Sequence, residues 1–132
     1  MPIRQFQIRL QVLKYIKRSL LFLQRLQVHV SHAKSTHDKA LKVRPKDHYS
    51  LYNKGFSFYH LGEYMQAVKW YDKLLKIDPQ GLDATYNKAL ALHDLGKYDE
   101  ALIWYDKALR IDPKDKETIE GRNDTIIELE NK

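Results

Sequence analysis

His29 and His32 stand three residues apart, the spacing at which two imidazoles on one helix face can meet as metal ligands. The plainer reading is a polar surface, and no metal site is expected. The chain has no cysteine, which excludes disulfides, thiolate metal sites and cysteine nucleophiles. It has no glycine-rich phosphate loop and no nucleophile elbow. Asp72-Lys73 and Asp106-Lys107 read as solvated charged faces. Trp70 and Trp104 read as packing residues rather than cofactor contacts. With no nucleophile, cofactor motif or paired acids, the expectation is a non-enzyme with no catalytic residue and no cofactor.

The elements that carry these residues are set by a repeat. The stretch KWYDKLLKIDP at 69–79 returns as IWYDKALRIDP at 103–113, 34 residues later, and STHDKALKVRP at 35–45 precedes it by the same interval. A fixed period of this size marks a solenoid or array. Units 48–81 and 82–115 align without a gap. They share Asn53 with Asn87, Leu61-Gly62 with Leu95-Gly96, Tyr64 with Tyr98, Ala67 with Ala101, Tyr71 with Tyr105, and Asp78-Pro79 with Asp112-Pro113. Gly62 and Gly96 divide each unit, because glycine takes the left-handed conformation that ends a helix. The spacing predicts helices over 48–61, 64–77, 82–95 and 98–111. In the last of these, Tyr98, Ala101, Leu102, Tyr105, Ala108 and Leu109 recur at intervals of three and four, an amphipathic stripe. Asp-Pro stops each second helix. Gly55, Ala89, Ala67 and Ala101 are the small residues that let paired helices approach.

This pattern resembles the tetratricopeptide repeat, a 34-residue helix–turn–helix unit, across 48–115. The resemblance implies an all-α fold: a solenoid of tandem antiparallel hairpins with two full repeats, a capping helix and a degenerate N-terminal repeat. Two segments are expected, a basic helical one at 1–45 and the array at 46–132. Residues 116–130 should form the capping helix, weakened by Gly121, with Asn123 where the repeats carry a small residue. At the other end, Val28 and Val30 replace the glycine and tyrosine of the repeat, and helices are expected near 8–27 and 31–43.

The resemblance also implies the function: a protein-interaction scaffold that binds a peptide or partner helix in a concave groove of first helices. Carried over by repeat position, the groove residues are Tyr49, Tyr52, Asn53, Phe56, Tyr59 and His60, then Asp83, Tyr86, Asn87, Leu90, His93 and Asp94. Aromatic anchors beside amides suit peptide recognition. The alternative for Tyr52, Phe56 and Tyr86 is packing between helices, and for His60 and His93 solvated helix ends. Some family members clamp chaperone tails with basic residues. Here Tyr52, Glu117 and Gly121 stand where that clamp needs them, and Asn87 alone fits.

Charge supplies the second functional reading. Residues 1–44 hold ten Lys or Arg and one acid, Asp38, giving +9. The remaining thirteen basic and sixteen acidic residues give −3, and the sum is the net +6. The basic N-terminal segment is therefore the alternative binding element, for an anionic partner such as nucleic acid or a membrane surface. Tyr15 and Phe22 are too sparse for a base-stacking platform, so nucleic acid is not the expected partner. No apolar run reaches membrane-spanning length or the core of a secretory signal, and a cytoplasmic location is expected. So few repeats leave stacking faces exposed, an opening for self-association.

Overall fold

The computed structural model describes residues 2–132. Six helices follow one another: α1 Pro2–Val43, α2 His48–His60, α3 Tyr64–Ile77, α4 Leu82–Asp94, α5 Tyr98–Ile111 and α6 Lys116–Glu130. Among the described residues there is no strand, and no helix is long and apolar enough to cross a membrane. The helices pack as antiparallel neighbours, α2 on α3 and α4 on α5, with α3 also on α4 and α5 on α6. The result is the all-α hairpin stack expected from the period.

The turns follow from local chemistry. Gly62 and Gly96 take φ of 77° and 79°. At the first, Glu63 N donates to Phe58 O and Gly62 N to Tyr59 O, both at 2.9 Å. Lys97 and Gly96 repeat this pair onto Leu92 O and His93 O. A left-handed glycine thus satisfies the last carbonyls of each first helix. Asp47 and Asp115 cap α2 and α6 by accepting from Ser50 N (2.9 Å) and Thr118 N (3.0 Å). Asp78 and Asp112 accept from the backbone N–H two residues on, beyond the prolines that stop α3 and α5.

The core lies between the hairpins. Ala67, Ala89, Ala101, Tyr71 and Tyr105 are wholly buried. Gly55 is small for a stated reason: a Cβ there would sit 2.8 Å from Tyr71 Cε1. Gly121 is also a close-approach position, where a Cβ would meet Tyr105 Cε1 of the preceding unit at 2.8 Å. Gly121 is therefore the close-approach residue of the capping helix, and α6 runs unbroken through it. Gly121 stands at the repeat position of Asn53 and Asn87 and faces the preceding unit's Tyr105, whereas Gly55 faces Tyr71 of its own unit.

The N-terminal end differs from the expectation of two helices near 8–27 and 31–43. α1 is one helix through the whole stretch. Val28 occupies the repeat position of Gly62 and Gly96, and a β-branched residue strongly disfavours positive φ. No turn forms, so the helix continues. Only its last part packs as a repeat's second helix would. Val30, Ala33, Lys34, His37, Asp38, Ala40 and Leu41 are half-buried, whereas residues 3–29 are exposed apart from Ser19.

Candidate peptide-binding groove

The first helices of successive units, α2, α4 and α6, lie side by side. Their inward side chains are tied laterally. Asn87 Nδ2 donates to Tyr52 Oη at 3.1 Å, and the Tyr59 hydroxyl donates to Asp94 Oδ2, so α2 is fastened to α4 twice. His93 Nδ1 lies 2.8 Å from Thr125 Oγ1 on α6. Thr125 gives its one hydrogen to Gly121 O at 2.7 Å. His93 must then donate through Nδ1, which leaves Nε2 of the neutral ring as an acceptor.

The two asparagines are set by their own helices. Asn53 Nδ2 donates to Tyr49 O at 2.8 Å, and Asn87 Nδ2 to Asp83 O at 2.7 Å. Both Asn87 amide hydrogens are thereby used, and its oxygen accepts no hydrogen bond among the described residues. Asn53 keeps its oxygen and one N–H. The aromatics form a row. Tyr52 stacks on Phe56 with ring centroids 6.2 Å apart and also meets Tyr71 at 6.0 Å. Phe56 meets His60 at 4.2 Å, and Tyr86 meets Tyr105 at 6.1 Å.

A cleft of about 520 Å³ opens between the first turns of α2 and α4, lined by Tyr49, Tyr52, Leu74, Asp83 and Ala84 among others. Of the groove residues, Tyr49, Phe56, His60, Asp83 and Asp94 are exposed. Tyr52, Asn53, Tyr59, Tyr86, Asn87, Leu90 and His93 are half-buried. The structure thus brings Tyr49, Tyr52 and Asp83 into one cleft, while Asn53, Phe56, Tyr59, Tyr86, Asn87, Leu90 and His93 do not line it.

The face carries negative charge. Burial first, and then the Asp83 carboxylate, push the Tyr52 phenol up, against the Asn87 hydrogen bond. Burial followed by Glu117 does the same to Tyr86. Burial and the bond to Asp94 raise Tyr59. These phenols therefore stay protonated donors at neutral pH.

One set of interacting residues was not singled out by motif. Asp38, Asp72 and Asp106 pair with Lys54, Lys88 and Arg122, each bond joining one unit's second helix to the next unit's first. Lys54 and Lys73 also lie over the Trp70 ring at 3.8 and 3.9 Å, and Lys88 and Lys107 over Trp104 at 3.5 and 3.9 Å. Asp38 and Asp72 thus hold Lys54 and Lys88 onto tryptophans, so Asp72, expected on a solvated face, has a structural partner, while Asp106 pairs with Arg122 instead. The signal was the period itself, since each set recurs every 34 residues. Among the described residues no three His, Asp or Glu side chains gather to hold a metal.

A family model described as "Anaphase-promoting complex, cyclosome, subunit 3" matches residues 18–114. No curated protein matches the chain. Solved structures similar to it include the first TPR of Spaghetti (RPAP3) bound to the HSP90 peptide SRMEEVD, at TM-score 0.74 and 17% identity over 78% of this chain and 82% of that one. The Sgt2 TPR domain from Aspergillus fumigatus aligns at 0.72 and 21%, covering 77% and 69%. The second TPR domain of human RPAP3, in complex with the HSP70 peptide SGPTIEEVD, aligns at 0.69 and 17%, covering 73% and 80%. At these identities the likeness is one of fold.

Proposed function

The chain belongs to the anaphase-promoting complex, cyclosome, subunit 3 family, a family of tetratricopeptide type, and from that premise we propose that it is a non-catalytic adaptor. It binds an extended, neutral-to-basic peptide across α2 and α4. The observation that carries this reading is the state of the two asparagines. Their amide nitrogens are held by their own helices, and Asn87 presents only an acceptor. An extended peptide has backbone N–H groups to donate to Oδ1 of each. Tyr49, Phe56 and Leu90 offer apolar contact beside them, and Asp83 and Glu117 favour a cationic side chain. Two of the structural neighbours hold peptides ending in EEVD. The carboxylates on this groove oppose such a ligand, as does the absence of basic residues at positions 52, 117 and 121.

The test is fluorescence anisotropy against extended peptides graded in charge, with SRMEEVD as the acidic probe. Lysine- or arginine-containing peptides are expected to bind and SRMEEVD is not. Asn53→Ala and Asn87→Ala should each lose roughly 0.5–1.5 kcal/mol of binding, up to about tenfold in affinity. Asn87→Ala should also lower stability, because its bond to Tyr52 ties α2 to α4. Tight binding of SRMEEVD, or affinity indifferent to both substitutions, would sink the reading. The basic segment is the alternative. Arg4, Arg9, Lys14, Lys17, Arg18 and Arg25 are all exposed, and binding to an anionic partner there should fall steeply as salt rises.

A further inference from the structure

We propose that a hollow between α3, α4 and α5, on the side of the second helices, is a second docking site, which takes an aromatic side chain of an acidic peptide. It shares no residue with the cleft between α2 and α4, so it stands or falls apart from the groove. The chain then joins two partners of opposite charge.

The hollow follows from one departure from the repeat. The fourth position of the three units is Leu51, Thr85 and Ile119. Leu51 and Thr85 are equally buried, but threonine has the shorter side chain. Its hydroxyl donates to Gly81 O at 2.8 Å, so its one hydrogen is used within α4. Thr85 forms the floor of a cavity of about 340 Å³, walled by Leu75, Pro79, Trp104 and Ile111. Ligand sites start at about 300 Å³, so this one suits a single large side chain rather than a cofactor. A flat ring fills it, meeting Trp104 at the indole edge, an arrangement aromatic pairs favour. A linear or short side chain would leave part of the wall without contact and forfeit dispersion energy.

The rim sets the charge of the occupant. Lys107 and Arg110 line the hollow, and no carboxylate does. The same repeat positions carry Lys73 and Lys76 on α3, and Lys39 and Lys42 on α1. All six side chains are exposed, and none makes an ion pair among the described residues. The acids on these elements are engaged elsewhere. Asp72 pairs with Lys88 and Asp106 with Arg122, while Asp78 and Asp112 accept from backbone N–H groups. Cations that continue past the hollow onto successive helices suit an extended acidic chain better than one small anion. Nucleic acid fits less well. Lys88 and Lys107 lie over the Trp104 ring at 3.5 and 3.9 Å, so its faces are held by cations rather than open to a stacking base.

Fluorescence anisotropy of the labelled peptide EEDFEDE with the full chain should show binding that weakens as salt rises. The peptide EEDAEDE should bind roughly tenfold or more weakly, for want of its anchor. Thr85→Leu gives the hollow the residue of position 51, and should erase the preference for phenylalanine while the melt is retained. Lys107→Gln with Arg110→Gln should weaken both peptides, and Lys14→Gln with Arg18→Gln on α1 should weaken neither. SRMEEVD has no aromatic residue and should not compete with EEDFEDE, and Asn53→Ala should leave EEDFEDE binding unchanged, so this site and the groove fail separately. Equal affinity for EEDFEDE and EEDAEDE would overturn the proposal. So would a preference for phenylalanine that survives Thr85→Leu in a folded chain, or binding lost through the substitutions on α1. A single-stranded oligodeoxynucleotide held at Lys107 and Arg110 more tightly than EEDFEDE would overturn it in favour of nucleic acid.

Discussion

α5 and the first 29 residues of α1 are both helices rich in large apolar side chains, yet they stand in opposite relations to the rest of the chain. In α5, Ala101, Tyr105 and Ala108 are completely buried. In α1, fourteen large apolar side chains from Ile3 to Val28 are exposed. Hydrophobicity does not separate them. The separation lies in the residues that let a neighbour come close and let the chain turn back. α5 follows a glycine at φ 79° and its partner α4 carries the buried Ala89 at the position of Gly55, whereas α1 has Val28 at the turn and Leu21 at that position. A helix becomes part of a core here only where small residues and a left-handed turn admit its partner.

The contrast is tested most strongly by removing one ring from each region. Tyr71→Ala should destabilise the array by about 3–5 kcal/mol, the usual loss for a fully buried aromatic. Phe22→Ala, 66% exposed, should stay within about 0.5 kcal/mol. Thermal melts of the two variants decide it, and a comparable loss from Phe22→Ala would mean that α1 packs on the array. Tyr71 also carries a buried hydroxyl with no hydrogen-bond partner among the described residues. Tyr71→Phe should therefore be neutral or stabilising.

A smaller effect is expected at the ladder that joins units. Lys88 is nearly buried, paired with Asp72 and laid over Trp104. Lys88→Met should cost roughly 1–2 kcal/mol, from the lost cation–π contact and ion pair. A double-mutant cycle with Asp72→Asn should show a coupling of about 0.5–1 kcal/mol. No coupling would make the pair ornamental to stability. On α1, Lys14→Met should leave the melt unchanged, since its ammonium has no such partner among the described residues.

The smallest effect is at the boundary between the two regions. Asp47 caps α2, and its hydrogen bonds with Ser50 hold the carboxyl below its ordinary 3.8. A carboxyl lowered in the folded state adds stability that is present above pH 3.8 and lost as pH falls through the lower folded value. Melting temperature should dip slightly below that pH, and Asp47→Asn, which still caps, should blunt the dip. An identical acid profile for the variant would assign the dip to other carboxylates.

Much of the architecture was legible beforehand because it is written in local chemistry repeated at a fixed interval. Gly62, Gly96, Pro79 and Pro113 act on their own backbone and need no distant partner to declare a turn. The groove was less legible. Asn53 and Asn87 could be placed on successive first helices by counting. That Asn87 spends both hydrogens on Asp83 O and Tyr52 Oη depends on how closely α2 approaches α4. Gly121 misled for the same reason: within its helix it is a weak residue, and only the Tyr105 ring passing 2.8 Å from its absent Cβ makes it necessary.

By itself, then, the sequence determined where helices start and stop from residue 48 onward, and that they stack, because a 34-residue hairpin cannot bury its own apolar face. It did not determine the outcome at residue 28, where a break between two helices was expected and α1 runs straight through. What the tertiary structure alone decided is which face of α1 is used and where that use ends. Only contact shows that Lys34, His37 and Leu41 meet α2 while Leu13, Ile16, Leu20 and Leu23 on the same stripe meet none of the described residues. Periodicity fixes the direction in which a side chain points, but burial is a property of what lies there.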